Sequence, residues 1–183
     1  ITTGYSMSTQ VGEGCYESVR LDDGTYKLTR FNGINHQTGD IIEGCGVTKD
    51  EDGYYSVTVP STYGGNTIST LGNCLFYPIY FEDFDTNDLT AIAISKHYYI
   101  KELKINEGIT TIGPYAFYSS MNLEEVTIPN TVTTIGDKAF AASTKLENIY
   151  FAGENKPECK TEVLKDVECN IKVSIGYKSE DFC

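Results

Sequence analysis

A 23-residue repeat is the feature of this sequence that most restricts its fold. Two consecutive segments align without a gap and share nine identical positions: residues 100–122 (IKELKINEGITTIGPYAFYSSMN) and residues 123–145 (LEEVTIPNTVTTIGDKAFAASTK). A third unit begins on schedule at Leu146, and its Ile149 and Phe151 occupy the same apolar positions. A fixed period of this length is typical of solenoids, in which each unit buries its apolar face against its neighbours.

Each unit is predicted to form one short strand followed by a turn. Val126 and Ile128 alternate with polar residues and are expected to point into a core. Pro129 then turns the chain, Gly136 is expected to supply a backbone geometry that other residues would resist, and Phe140 closes the layer. The predicted fold class is a β-rich α/β protein. We expect a right-handed solenoid with a parallel sheet on one wall, capped by β-hairpins.

The repeats divide the chain into three predicted parts. An N-terminal β-hairpin cap covers 1–54, the repeats cover 55–151, and a C-terminal cap that includes a mostly polar segment covers 152–183. Two regular units fill 100–145, with degenerate units before them and a partial unit after them. Residues 89–94 resemble a further strand opening.

Two Asp-Gly turns in the N-terminal part predict the hairpins. The first turn, Asp22-Asp23-Gly24, separates Val19–Leu21 from Tyr26–Phe31. The second, Asp50-Glu51-Asp52-Gly53, separates Gly46–Thr48 from Tyr55–Val59. A solenoid needs such a cap because its open end would otherwise expose the core.

The repeat resembles the BspA-like leucine-rich repeats, whose pattern is L-x-x-I-x-I-P-x-x-V-x-x-I-G-x-x-A-F. Leu123–Phe140 satisfies every fixed position with conservative changes, and Ile100–Phe117 lacks only the Pro, having Asn106 instead. The resemblance implies a surface protein of bacteria or parasitic protists that adheres to host proteins or to other cells. Many family repeats place Cys three residues after the Phe, where this chain has Ser120 and Ser143.

Composition argues against two classes of partner. Acidic residues number 26 against 14 basic ones, the net charge is −12, and no basic cluster occurs along the sequence, so nucleic acid is not expected as a partner. The longest apolar runs, such as residues 89–94, are strand-sized and far below the roughly 18 residues of a membrane span.

Residue 1 is Ile and no signal-peptide pattern follows it, so the sequence is expected to be a mature or excised fragment.

Six cysteines suggest disulfides in an oxidising compartment. Six cysteines allow 15 connectivities. We expect Cys15–Cys45 and Cys159–Cys169, within the two predicted caps, and we expect Cys74 to be a buried thiol in a repeat position. No C-x-x-C spacing is present, so a structural zinc site is not expected.

Neither a cofactor nor a catalytic site is predicted. The two histidines, His36 and His97, lie in no nucleophile or metal motif, and His97 is expected in an irregular surface turn. The segment 83–88 (DFDTND) resembles a calcium loop but has Asp88 where the turn Gly belongs and Ile94 where the bidentate Glu belongs. A solvated acidic loop is therefore expected, with calcium binding outside the EF-hand geometry as the alternative.

The outward residues of the predicted strands are the candidate binding site. They should stack into two columns at 23-residue intervals, namely Glu102, Glu125 and Asn148 in one and Lys104, Thr127 and Tyr150 in the other. Solenoids commonly bind through such surfaces. We therefore expect a secreted or cell-surface adhesion module that binds a protein or glycan, and not an enzyme. The alternative is a structural spacer or capping segment of a larger surface protein.

Overall fold

The computed structural model describes residues 14–76, 95–154, 156–173 and 182–183. These residues form thirteen strands and a short 3-10 helix at Lys96–Tyr99. The strands are β1 (Tyr16–Arg20), β2 (Tyr26–Phe31), β3 (Val47–Lys49), β4 (Tyr55–Val59), β5 (Thr62–Tyr63), β6 (Asn66–Leu71), β7 (Ile100–Ile105), β8 (Thr111–Ile112), β9 (Glu125–Ile128), β10 (Thr134–Ile135), β11 (Asn148–Phe151), β12 (Glu158–Cys159) and β13 (Asn170–Val173).

The strands form two sheets. The front sheet has the order β13-β11-β9-β7-β4-β3, and every neighbouring pair is parallel except β3–β4. The back sheet has the order β1-β2-β6-β8-β10-β12, parallel from β2 to β12, with β5 pairing antiparallel with β6. From β6 to β13 the chain therefore runs alternately through a back strand and a front strand.

A parallel sheet was predicted on one wall, and the structure has one on each of two walls. The back strands come from the Thr-Thr-Ile-Gly segments, where Thr111 and Ile112 of β8 pair with Thr134 and Ile135 of β10. The described residues contain no α-helix, so the α/β part of the predicted class is not seen in them. The right-handed path of the coil stays a prediction.

The core lies between the sheets and is built of columns of equivalent residues. Val57, Leu103 and Val126 are each at most 3% exposed and pair in register along the front sheet. Leu71 and Ile112 do the same in the back sheet and are fully buried. Each layer covers the apolar face of the next, which is how a 23-residue unit obtains a core that it could not build alone.

A column of phenylalanines runs along one side of this core. The rings of Phe31, Phe76, Phe117 and Phe140 follow one another at centroid distances of 4.8, 5.3 and 5.2 Å. Each of these rings is at most 6% exposed. Aromatic pairs in offset contact at such distances add to the gain from burial.

Gly136 is required for a different reason from the one expected. It does not have a positive φ. Instead, a methyl group at Gly136 would lie 2.5 Å from the backbone nitrogen of Pro114 in the preceding layer. Gly113 is equally crowded, because a methyl group there would lie 2.5 Å from the carbonyl oxygen of Leu71. Glycine therefore lets adjacent layers approach closely enough for the Gly136 N–H to donate to Ile112 O at 2.8 Å.

Both N-terminal hairpins form at the Asp-Gly turns. β1 pairs with β2 and β3 pairs with β4, in each case antiparallel. Their second strands also join the parallel sheets, because β2 pairs with β6 and β4 pairs with β7. The N-terminal region is thus continuous with the solenoid, and the division at residues 54 and 151 stays a prediction.

The polar segment expected in the C-terminal part instead contributes to a further layer of the two sheets. β12 pairs parallel with β10, matching Ile135 to Cys159, and β13 pairs parallel with β11. The interval from Ile135 to Cys159 is one residue longer than the period, so the repeat is harder to see in the sequence. Val163 of this layer is 3% exposed and belongs to the core.

Two disulfides are present in the described residues. The predicted Cys15–Cys45 bond joins the residue that precedes β1 to the segment before β3. The predicted Cys159–Cys169 bond is wrong, because Cys159 is bonded to Cys183 and Cys169 is a free thiol. Cys74 is in neither disulfide and is half-buried, where full burial was expected.

Candidate functional site

The candidate residues lie in two straight columns on the outer face of the front sheet. Glu102 of β7 is directly opposite Glu125 of β9, and Glu125 is directly opposite Asn148 of β11. In the same way, Thr127 of β9 lies between its two in-register partners, Lys104 on β7 and Tyr150 on β11. The side chains point outward because the alternate residues on each strand are buried between the sheets.

The columns are longer than the sequence analysis predicted. On β4, Ser56 lies opposite Glu102 and Thr58 opposite Lys104. On β13, Asn170 and Lys172 lie opposite Asn148 and Tyr150. The signal for the β4 residues was present, since Ser56 and Glu102 are 46 residues apart, which is twice the period.

Contacts within the columns are few and weak. Ser56 Oγ donates to a carboxylate oxygen of Glu102 at 3.3 Å. The ammonium of Lys172 lies 5.1 Å from the centre of the Tyr150 ring. Glu102 and Lys104 are exposed, whereas Glu125 and Tyr150 are half-buried. The face therefore has charged and hydroxyl groups that remain accessible to a partner.

A third outward column lies beside the first and was missed in the sequence. It consists of Lys101, Glu124 and Glu147, joined by backbone hydrogen bonds from Glu124 N to Lys101 O and from Glu147 N to Glu124 O, both 2.8 Å. The Lys101 ammonium is 3.8 Å from a Glu124 carboxylate oxygen. Together with Glu102 and Glu125, this column makes the centre of the face predominantly acidic.

A cleft of about 470 Å³ adjoins the columns at the carboxyl ends of β7 and β9. Lys104 and Thr127 line it on the sheet side, and Asn106, Pro129 and Ala152 line it on the loop side. A second cleft of about 470 Å³ beside the Cys15–Cys45 disulfide shares Asn106 with the first. The sequence pattern did not indicate the cleft beside Lys104 and Thr127, because loops between strands of different layers form it.

His97 was expected in a surface turn and is instead buried, with 4% of its surface exposed. It lies on the 3-10 helix, its Nε2 is 2.9 Å from the carbonyl oxygen of Ile34, and its ring is 5.2 Å from that of Phe31. Burial is the main reason that the pKa of His97 falls from its ordinary 6.5 to about 4. His97 therefore belongs to the packing of the N-terminal layer.

Neither a metal site nor a membrane-spanning helix is found in the part of the chain that the structure describes. There, no group of three or more His, Cys, Asp or Glu side chains is arranged to hold a metal ion. The acidic segment 83–88 lies outside the described residues, so the calcium alternative stays a prediction. Within the described ranges no helix is long and apolar enough to cross a membrane.

The two parallel sheets, the repeated layers and the outward columns define a leucine-rich-repeat solenoid. More specifically, the model of the BspA-type leucine-rich repeat region matches residues 69–175 in six copies, which is more than half of the chain. The chain therefore belongs to the BspA-type leucine-rich repeat family. A comparison with curated proteins gave no significant match.

Several solved structures are similar to this chain. A leucine-rich cell surface protein of Faecalibacterium prausnitzii A2-165 is 17% identical with a TM-score of 0.49, over 88% of this chain and 41% of that one. The T. pallidum leucine-rich repeat protein is 12% identical with a TM-score of 0.44, over 86% of this chain and 62% of that one. The pneumococcal vaccine antigen PcpA is 16% identical with a TM-score of 0.39, over 88% of this chain and 48% of that one. This chain thus spans less than two thirds of each.

Proposed function

We propose that the chain is a secreted or cell-surface interaction module that binds a protein or glycan through the outer face of the front sheet. The observation that carries the proposal is the pairing of Glu102 with Glu125 on adjacent strands. Like charges directly opposite one another in a sheet are destabilising, so their presence favours a role other than stability. A cationic or polar group of a partner that lies between the two carboxylates relieves the repulsion.

The remaining column residues surround this acidic pair with complementary groups. Lys104 and Thr127 place hydrogen-bond donors at the edge of the cleft, Asn148 continues the acidic column with an amide, and Tyr150 has an aromatic ring with a hydroxyl. These groups are carried by strands, which hold them at a fixed spacing. A binding surface on a rigid scaffold loses little entropy when it engages a partner.

The disulfides and the family support an extracellular location. Disulfides form and persist in oxidising compartments, and two are present in the described residues. The proposal includes neither catalysis nor a cofactor. We also retain the proposed division into caps at 1–54 and 152–183 around repeats at 55–151, and the right-handed path of the coil.

An array of immobilised extracellular matrix proteins and glycans, incubated with the full chain, tests the proposal. We expect at least one ligand whose binding is weakened by Glu102→Lys/Glu125→Lys. The matched control is Asp22→Lys/Glu162→Lys, which changes the net charge by the same amount at sites outside the face. Absence of any ligand would favour the alternative, a structural spacer or capping segment of a larger surface protein. Equal weakening by both variants would show that overall charge, and not this face, determines binding.

A further inference from the structure

Three lysines lie near the amino-terminal ends of β4 and β7 in the front sheet, where the fold brings Lys49 to the segment that carries Lys96 and Lys101. Lys96 lies in the 3-10 helix, Lys101 in β7 and Lys49 in β3. The sequence contains no basic cluster, and the chain carries a net charge of −12. The fold therefore concentrates positive charge at one place on an otherwise acidic molecule.

Tyrosine rings hold these lysines in position. Tyr54 and Tyr99 contact each other with ring centroids 5.8 Å apart. The Lys96 ammonium lies 5.1 Å from the centre of the Tyr99 ring, and the Lys101 ammonium lies 5.6 Å from the centre of the Tyr54 ring. We call these four residues the tyrosine–lysine patch. Because each cation is attracted to an aromatic face, its long side chain is restrained before any ligand arrives.

Lys49 extends the patch on one side. Its ammonium lies 5.4 Å from the centre of the Tyr55 ring, and the hydroxyl of Tyr55 donates to Gly39 O at 2.6 Å. Lys96 approaches the same place, since a methyl group at Gly39 would lie 3.4 Å from its Cγ. Lys49 and Lys96 thus both lie near the buried Tyr55, and Lys96 also contacts Tyr99.

The acidic groups nearby neutralise the patch only in part. The Asp50 carboxylate accepts hydrogen bonds from the backbone N–H groups of Asp52 and Tyr54, both 2.9 Å, and so faces its own turn. Glu124 is 3.8 Å from Lys101, a partly exposed pair of the kind that contributes little. In the described part of the chain, Lys49 and Lys96 form no ion pair with any acidic side chain.

We infer that the tyrosine–lysine patch binds a linear anionic glycan, one that carries sulfate or carboxylate groups at intervals along a hydroxyl-rich chain. Each ammonium group lies at a different ring of the tyrosine pair, Lys96 at Tyr99 and Lys101 at Tyr54, so they match anionic groups that are separated along a ligand and not a single compact anion. The hydroxyls of Tyr54 and Tyr99 form no hydrogen bond within the described part of the chain and remain available for sugar hydroxyls between the charges. This second hydrogen-bonding element favours a glycan over an acidic peptide. Lys101 of the patch also lies in the third column of the front-sheet face, but no patch residue belongs to the two columns of the proposed function, so variants of the columns and of the patch test the two separately.

Calorimetric titration of the full chain with a heparin-derived octasaccharide tests the inference. We expect binding that weakens as NaCl is raised from about 50 to about 300 mM, because the interaction is electrostatic and exposed. Lys96→Gln/Lys101→Gln should weaken it by about tenfold or more, since hydrogen bonds to charged groups are lost. The matched control, Lys160→Gln/Lys165→Gln, removes the same charge elsewhere and should change the affinity by less than about twofold.

Two tyrosine variants separate positioning from charge. Tyr54→Leu/Tyr99→Leu keeps both lysines but removes the rings, and two lost cation–π contacts should weaken binding by about five- to thirtyfold. Tyr54→Phe/Tyr99→Phe keeps the rings and should lose less. Unchanged melting curves would show that each variant is folded.

No binding of the octasaccharide, or equal weakening by the lysine control, would overturn the inference. Tighter binding of a polyglutamate peptide of equal charge would also overturn it, because the occupant would then be an acidic protein segment.

Discussion

The rings of Phe117 and Phe140 stack with their centroids 5.2 Å apart and their planes inclined by 17°. They occupy the same position in successive 23-residue units, and both are fully buried. The contact therefore joins two layers whose phenylalanines are 23 residues apart in the sequence but adjacent in the structure. Removing one ring leaves a cavity between layers, because the backbone hydrogen bonds of both sheets hold the layers at a fixed spacing.

We predict that Phe117→Ala lowers the free energy of unfolding by about 3–5 kcal/mol. Chemical denaturation monitored by circular dichroism measures this change. Met121→Ala in the same layer is the control, because Met121 is 45% exposed and its truncation should change stability by less than about 0.5 kcal/mol. Similar stabilities for the two variants would refute the stacked column.

Gly136→Ala should destabilise the protein by about 1–3 kcal/mol or more through crowding against the preceding layer. The added methyl group would lie 2.5 Å from Pro114 N, and backbone atoms cannot move aside cheaply. Gly53→Asn is the control, since Gly53 has a φ of +89° with no atom nearby and asparagine tolerates positive φ. Denaturation curves for both variants test the assignment. A tolerated Gly136→Ala would mean that the layers are farther apart than the structure shows.

Stability should fall as the pH decreases from about 6.5 to about 4 because of His97. The pKa of His97 is lowered to about 4 in the folded protein, so its contribution is fully present above the unfolded value of about 6.5. As pH falls through this window the unfolded state binds the proton first, and about 3 kcal/mol is lost by pH 4. Unfolding measured at pH 7, 5.5 and 4 tests this. His97→Gln should show a smaller loss, and an identical loss would assign the pH dependence to other groups.

Cys183→Ser should lower stability by about 2–4 kcal/mol, because the Cys159–Cys183 bond restrains the C-terminal layer. Cys169→Ser should leave that bond in place and change stability little. Peptide mapping without reduction identifies the pair directly. A Cys159–Cys169 peptide would show that the pairing expected from the sequence is the correct one.

The sequence predicted the front sheet well because its strands follow the period. The register of Glu102, Glu125 and Asn148 comes directly from aligning residues 23 apart. The back sheet was missed because strands such as Thr111–Ile112 have two residues, too few to show alternation. β12 was missed because one inserted residue breaks the period before Cys159, whereas the apolar alternation at Ile171 and Val173 did predict a final strand where β13 lies.

Features that depend on contacts between distant segments could not be predicted. His97 is buried by Ile34 and Phe31, and the hydrogen bond to Ile34 spans 63 residues. No local pattern around His97 records that contact. The cleft beside Lys104 and Thr127 and the contact between Lys101 and Tyr54 have the same origin, since residues distant in the sequence form them. The repeat period therefore predicts the features that recur in every unit. The contacts made by the irregular segments become apparent only in the structure.

The central claim is that a partner is bound by the outer face of the front sheet. Thr127 of β9 and Thr134 of β10 provide a matched test, because both point outward from the same unit but on opposite sheets. Affinity for an immobilised ligand found on the array should be measured with Thr127→Arg and Thr134→Arg. We predict that Thr127→Arg weakens binding by about tenfold or more, since a large charged side chain blocks the columns, and that Thr134→Arg leaves it unchanged. Loss with Thr134→Arg and not with Thr127→Arg would contradict the claim and place the binding surface on the back sheet.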